Sequence, residues 1–362
     1  MEKEVLPTDV ARELELIRAE RASKQPYYKA KAEEIIHNYE QEFDNIHNLD
    51  TTDYAICCAA GTIGGILDAF FIGIPHPSRE GVAGGYLDGK IRAWFNEHFP
   101  KVDMEILARS AKSKVSYDAQ DNRNTIENVD GLSSYYHRLL SLGHDPFLGF
   151  IVGIFDILNG TMTTISKTGV FTSQEMPIYA NRMATQLLEA INKQWLHLKS
   201  DVNTAMGLPV PLMALFNTLQ FGNIGREGLT IAEIVQGMYY QGYDFQHYCA
   251  MSIPEILVDV IVRTAWWIRM KLNGYSMLKT IPMMTSHKRT PKLDTMLCLS
   301  HACFCTINTI KIGVTRNPCA INYPEWLHFS KLLVSEVRWQ LVTKSTERSL
   351  FVSNRIMSHK KI

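Results

Sequence analysis

The 362-residue chain has only seven cysteines, an odd number, with Cys57 and Cys58 adjacent and several others in apolar company. That pattern argues against a disulfide framework and for reduced core thiols, which fits an intracellular, cytoplasmic address. Paired Cys-x-x-Cys motifs and a nucleophile elbow are both missing, so a zinc ribbon and an esterase-type serine site are not expected. Gly222-x-x-Gly225-x-x-Gly228 follows no expected strand and no Walker lysine accompanies it, so it reads as a turn-rich connector and not a phosphate cradle. The start, Met1-Glu2-Lys3-Glu4, has neither the basic nor the apolar region of a signal peptide, and no secretion is expected. No segment alternates convincingly as a strand. Net charge is zero, which leaves no overall field to steer a partner.

The charge is unevenly spread. From Glu255 onward 16 Lys and Arg stand against 6 Asp and Glu, so this third carries about +10 and the remainder about −10. Such polarity suits a membrane surface or anionic lipid, or a nucleic acid, as partner. It equally suits attraction between the two regions inside the fold. With 46% hydrophobic and 20% charged residues, the composition is that of a globular chain with a sizeable core.

Nearly every informative segment reads as helix. Thr8 or Asp9 starts a first helix to about Ser23, and Tyr27 to His47 carries Ile35, Ile36, Tyr39, Phe43 and Ile46 at helical spacing. Further helices are expected at Tyr86 to Phe99, Leu132 to Leu142, Pro177 to Ala205, Pro211 to Phe221, Ile231 to Gln241 capped by Thr230, Asp244 to Met251, Pro254 to Leu272, Leu293 to Ile312 and Tyr323 to Thr343. The fold class is therefore all-α, a bundle of about ten to twelve helices with two Gly-rich apolar helices at its centre. The organisation expected is an N-terminal helical region, residues 1–108, with the first Gly-rich helix, then a polar joint, residues 109–128. A C-terminal helical region, residues 129–362, holds the second Gly-rich helix and the basic third.

Those two helices carry the same device, Gly61-x-Ile63-x-Gly65-Ile66-x-Asp68 and Gly149-x-Ile151-x-Gly153-Ile154-x-Asp156. On a helix the glycines and the aspartate share a face, which admits a close backbone and presents a charge that needs a partner. Asp259 and Arg263, four apart, can pair on one helix, or Arg263 can answer Asp68 or Asp156. Tyr54 to Ile74 is long enough to span a bilayer, but Asp68 near its middle costs about 2.5–3.5 kcal/mol. The function expected from these features is non-enzymatic: helix association, with self-association, at or in a membrane, and no cofactor.

A rival reading is enzymatic. Glu34-x-x-His37 and Glu325-x-x-His328 each put an oxygen and a nitrogen ligand on one helix face, as in carboxylate-bridged dimetal bundles, with Asp68 and Asp156 as the remaining acids and Fe, Mn or Zn as the ion. His137-Arg138 followed by His144-Asp145 resembles metal phosphohydrolases in which an adjacent His-Asp pair and an upstream histidine hold a divalent ion. Here the upstream histidine is close in sequence, and Asp145 before Pro146 is better explained as a helix cap.

Overall fold

The computed structural model describes residues 8–78, 81–204, 207–225, 227–273 and 291–359. The fold is all-α, as periodicity implied. The helices are α1 (Thr8–His47), α2 (Thr51–Leu67), α3 (Tyr86–His98), α4 (Lys101–Arg109), α5 (His137–Leu140), α6 (Val152–Asn159), α7 (Leu187–Asp201), α8 (Ile231–Tyr240), α9 (Phe245–Leu272), α10 (Pro291–Thr315), α11 (Tyr323–Arg338) and α12 (Lys344–His359). A π-helical turn, Asp68–Ile72, continues α2, and another, Trp339–Thr343, follows α11.

Several local expectations are corrected. Helix α1 runs through Pro26 without the expected break, and α9 likewise carries Pro254 inside a single helix. One proline removes one backbone bond, a loss that long flanking helices tolerate. Leu132 to Leu142 and Pro211 to Phe221 form only the short α5 and a 3-10 turn at Met213–Thr218. Two antiparallel hairpins are present where no strand was expected, β1 (His76–Ser78) with β2 (Gly81–Ala83) and β3 (Thr161–Ile165) with β4 (Phe171–Glu175). In the second, three threonines and an isoleucine favour extended backbone. Gly169, at φ +82°, supplies the left-handed turn residue.

The described helices belong to two compact units, residues 1–56, 266–298 and 331–362 in the first and 57–265 and 299–330 in the second. The polar stretch 109–128 lies within the second unit and contributes Val115, Tyr117 and Ala119 to its core. In the first unit the basic third meets acids of the N-terminal helices: Arg269 and Lys292 pair with Asp50 and Asp53, Arg348 with Asp44, and Arg355 with Glu42. These pairs account for some of the opposite charge of the two sequence regions. In the second unit one apolar core gathers Ile72, Leu139, Val210, Tyr239, Tyr243 and Met251, and another gathers Tyr117, Ile157, Met162 and Met176.

Among the described residues two helical stretches, Glu20–Ile72 and Pro291–Thr315, are long and apolar enough to cross a membrane, and each is 39% buried in its most apolar window. Core helices of soluble proteins share these properties.

Candidate metal centre

Asp259, His301 and His328, from α9, α10 and α11, bring one carboxylate oxygen and two imidazole nitrogens within 4.8 Å of one another. His301 Nε2 lies 3.1 Å and His328 Nε2 3.7 Å from Asp259 Oδ1. Ligands about 2.0–2.1 Å from a tetrahedral ion are about 3.4 Å apart, so the two distances bracket the separation an ion needs.

Each imidazole is oriented from behind by a carboxylate. His301 Nδ1 is 3.0 Å from both Glu325 oxygens, and His328 Nδ1 is 3.1 Å from Glu255 Oε1. A carboxylate accepts, so Nδ1 donates in both rings; His301 Nε2 also donates to Asp259 Oδ1 at 3.1 Å, and an ion that displaced this proton would take up the Nε2 lone pair. The second Asp259 oxygen accepts from Arg263 Nε at 3.0 Å. His301 and Glu325 are fully buried, whereas the side chains of His328 and Asp259 keep 24% and 22% of their exposure, so one side of the cluster faces solvent.

The electrostatics match the geometry. Burial opposes the charge of His301, yet Asp259 and Glu325 outweigh it and push the imidazole up to about 9. Burial raises Glu325, and against a burial penalty His301 and Arg263 hold Asp259 below the usual carboxylate range. Without an ion, a proton on His301 therefore occupies the space between acids that a cation would take.

Four residues singled out in the sequence, Asp259, Arg263, Glu325 and His328, thus meet in one place. The i,i+4 spacing foretold the Asp259–Arg263 pair. His301 and Glu255 were missed as members: Glu255 is one turn before Asp259, a readable signal, whereas His301 is placed only by the packing of α10. Glu34 and His37 do not belong to the cluster. Both are exposed on α1, in the other unit, and His37 Nε2 takes Gln41 as partner.

Asp68 and Asp156 are not ligands either. Asp68 is fully buried against Lys311 at 3.1 Å, with Asn308 and Asn322 donating at 2.8 and 2.9 Å. Asp156 accepts from Thr161 and Thr163 hydroxyls at 2.7 and 2.8 Å and from the Thr163 amide at 3.0 Å. Both acids are answered within the chain.

The glycine faces are occupied in the same way. A Cβ at Gly61 would lie 2.7 Å from Cys303 Cβ, and one at Gly65 2.6 Å from Ile307 Cβ, so this face receives α10. A Cβ at Gly149 or Gly153 would lie 2.6 Å from the Gln194 amide group on α7. The second motif is also not one helix: Gly149 sits in a 3-10 turn, Leu148–Phe150, Ile151 lies between that turn and the helix, and Gly153, Ile154 and Asp156 are in α6.

Asp145 accepts from the Phe147 and Leu148 amides at 2.9 and 2.8 Å, but it does not open the helix expected at Pro146: the 3-10 turn Leu148–Phe150 follows, and α6 begins only at Val152. No known protein family, curated protein or solved structure matches this chain, and its chemistry is read from its own residues.

Proposed function

We propose that this protein is a divalent-metal-dependent enzyme in which His301, His328 and Asp259 hold the ion and a water completes its coordination on the solvent side. One observation carries the reading: two imidazoles, each fixed through Nδ1 by its own carboxylate, aim Nε2 at a shared carboxylate oxygen. Two histidines and one carboxylate leave coordination positions open, the pattern of catalytic rather than structural sites. A bound ion would supply an activated water for hydrolysis. Arg263 would fix the Asp259 carboxylate, and Glu325 and Glu255 would fix the rings.

The test is elemental analysis of protein expressed with Zn, Mn and Fe supplied, together with chelator-sensitive hydrolysis of chromogenic esters and phosphoesters. His328→Ala and Asp259→Asn are expected to lose one equivalent of metal and the hydrolysis while retaining the helical circular dichroism. Full metal retention in both variants would overturn the reading.

A second reading, association with a membrane, has its own support. Ile63, Ile66, Phe70 and Phe71 are exposed along α2 and its π turn, and Ile310 and Val314 are exposed on α10. Since α2 uses its glycine face for α10, these outward side chains are the ones left to meet lipid or a second copy. Flotation with anionic and neutral vesicles, and fractionation with salt and carbonate washes, test it; protein that stays soluble and monomeric throughout would remove it.

A further inference from the structure

Elsewhere in the second unit, two buried histidines present nitrogen atoms that no described protein group satisfies. His144 is fully buried and His137 is 4% exposed. The Nε2 atom of each lacks a hydrogen-bond partner among the described residues. An unsatisfied buried polar atom is costly, and a pair of them facing one carboxylate calls for a shared explanation.

The carboxylate is Asp118. Its Oδ1 is 3.7 Å from His137 Nε2 and 3.9 Å from His144 Nε2, and the three atoms lie within 4.8 Å of one another. These separations are too long for hydrogen bonds and a few tenths of an ångström above the edge of a tetrahedral metal site. Val115, Ser116, Tyr117 and Ala119 are all fully buried, and Asp118 alone in this run keeps partial exposure.

The outer partners fix both rings for ligation. His137 Nδ1 is 3.0 Å from the Ser134 carbonyl, and His144 Nδ1 is 3.0 Å from Asp201 Oδ2. A carbonyl and a carboxylate accept, so Nδ1 carries the proton in each ring and Nε2 keeps its lone pair. Asp201 is held in turn by Arg138 Nη2 at 3.1 Å, and Arg138 also donates to Thr204 Oγ1 at 2.6 Å. His197 stands behind this layer, its Nδ1 on the Ser113 carbonyl at 3.0 Å and its Nε2 3.3 Å from His144 Nδ1. Ring, carboxylate and arginine form the supporting chain usual behind metal-ligating histidines.

We propose that Asp118 Oδ1, His137 Nε2 and His144 Nε2 bind a second divalent ion, of the zinc class, that ties the 110–131 segment to α5 and the turn after it. Two nitrogen ligands and one oxygen suit zinc. Its coordination is completed by the other Asp118 oxygen or a water, since only Asp118, whose side chain is 24% exposed, reaches solvent. The donor set is that of the Asp259 centre, but here two of the three ligands are buried and the ion acts as a link: holding the 110–131 segment against α5 adds the binding free energy to the folded state.

The experiment is done on the full chain carrying His328→Ala, so that the Asp259 centre does not contribute. Zinc content after dialysis is measured, followed by a Co²⁺ titration read by visible absorption and by thermal melting with and without zinc. One equivalent of zinc, a Co²⁺ absorption band and a rise in Tm on adding zinc are expected, all three abolished by adding Asp118→Ala. Asp118 makes no other strong contact among the described residues, so that variant keeps the fold; His137→Gln is the second variant, with the same expectation. Zinc content and Tm response unchanged by Asp118→Ala would overturn the proposal. So would a His328→Ala chain that binds none, with water left as the partner of the two Nε2 atoms. Loss of metal only on Asp118→Ala, never on His328→Ala, would instead sink the enzymatic reading and leave this one standing.

Discussion

Replacing Lys311 by methionine is expected to destabilise the second unit by about 3 kcal/mol or more. Lys311 keeps only 7% of its side-chain exposure and its Nζ lies 3.1 Å from Oδ2 of Asp68, which has none. The same ammonium donates to the carbonyls of Asp68 and Gly73 at 3.1 and 3.3 Å, closing the π turn. Methionine fills the space but leaves a buried carboxylate with two amide donors, Asn308 and Asn322. Removing one partner of a buried pair costs about 3–5 kcal/mol, and the two remaining hydrogen bonds to the charge place this site toward the lower end. Guanidinium unfolding followed by tryptophan fluorescence measures the loss. Asp68→Asn alone should also cost stability, because its amide must face at least one of the two asparagine donors. Combining the two changes should cost less than their sum, since no charge is left unpaired. A Lys311→Met variant within 1 kcal/mol of wild type, or strict additivity, would refute this account of how the buried Asp68 is accommodated.

Three further outcomes are expected. Gly65→Ala should cost about 1–3 kcal/mol, because its methyl would lie 2.6 Å from Ile307 Cβ and overpacking at a close helix crossing cannot relax cheaply; an unchanged denaturation midpoint would show that α2 and α10 do not pack as described. Asp88 is penalised by burial, but His247 and then Arg92 hold its carboxyl below the usual range. With the folded value depressed, its contribution is present above about pH 4 and lost as pH falls through the folded value, so Asp88→Asn should flatten the acid limb of a stability profile; an unaltered limb counts against it. Thr230 and Glu233 form a reciprocal capping box on α8, with Thr230 Oγ1 accepting from the Glu233 amide at 3.2 Å and Glu233 Oε2 accepting from the Thr230 amide at 2.8 Å. Thr230→Ala should cost about 0.5–2 kcal/mol in urea unfolding, and Thr230→Ser almost nothing.

What could be read from residues alone was local. The all-α class, the Thr230 cap and the Asp259–Arg263 pair follow from helical periodicity and from groups within four residues of one another. Cap chemistry and i,i+4 geometry are satisfied inside a single turn, so they survive whatever the rest of the chain does. Helix continuity was less legible: Pro26 and Pro254 read as breaks but lie inside α1 and α9.

Tertiary packing decided what the polar groups are for. Asp68 and Asp156 sit in similar motifs, yet one meets a lysine on α10 and the other two threonines on β3. Glu325-x-x-His328 and Glu34-x-x-His37 have the same spacing, and only the first is joined by a second histidine and two more carboxylates. Asp118 lies in a polar stretch that reads as a joint, and only the folding of that stretch into the second unit brings it to His137 and His144. Sequence spacing sets which side chains share a face. What stands opposite that face depends on which helices cross, and that is settled by burying apolar area contributed from distant regions of the chain.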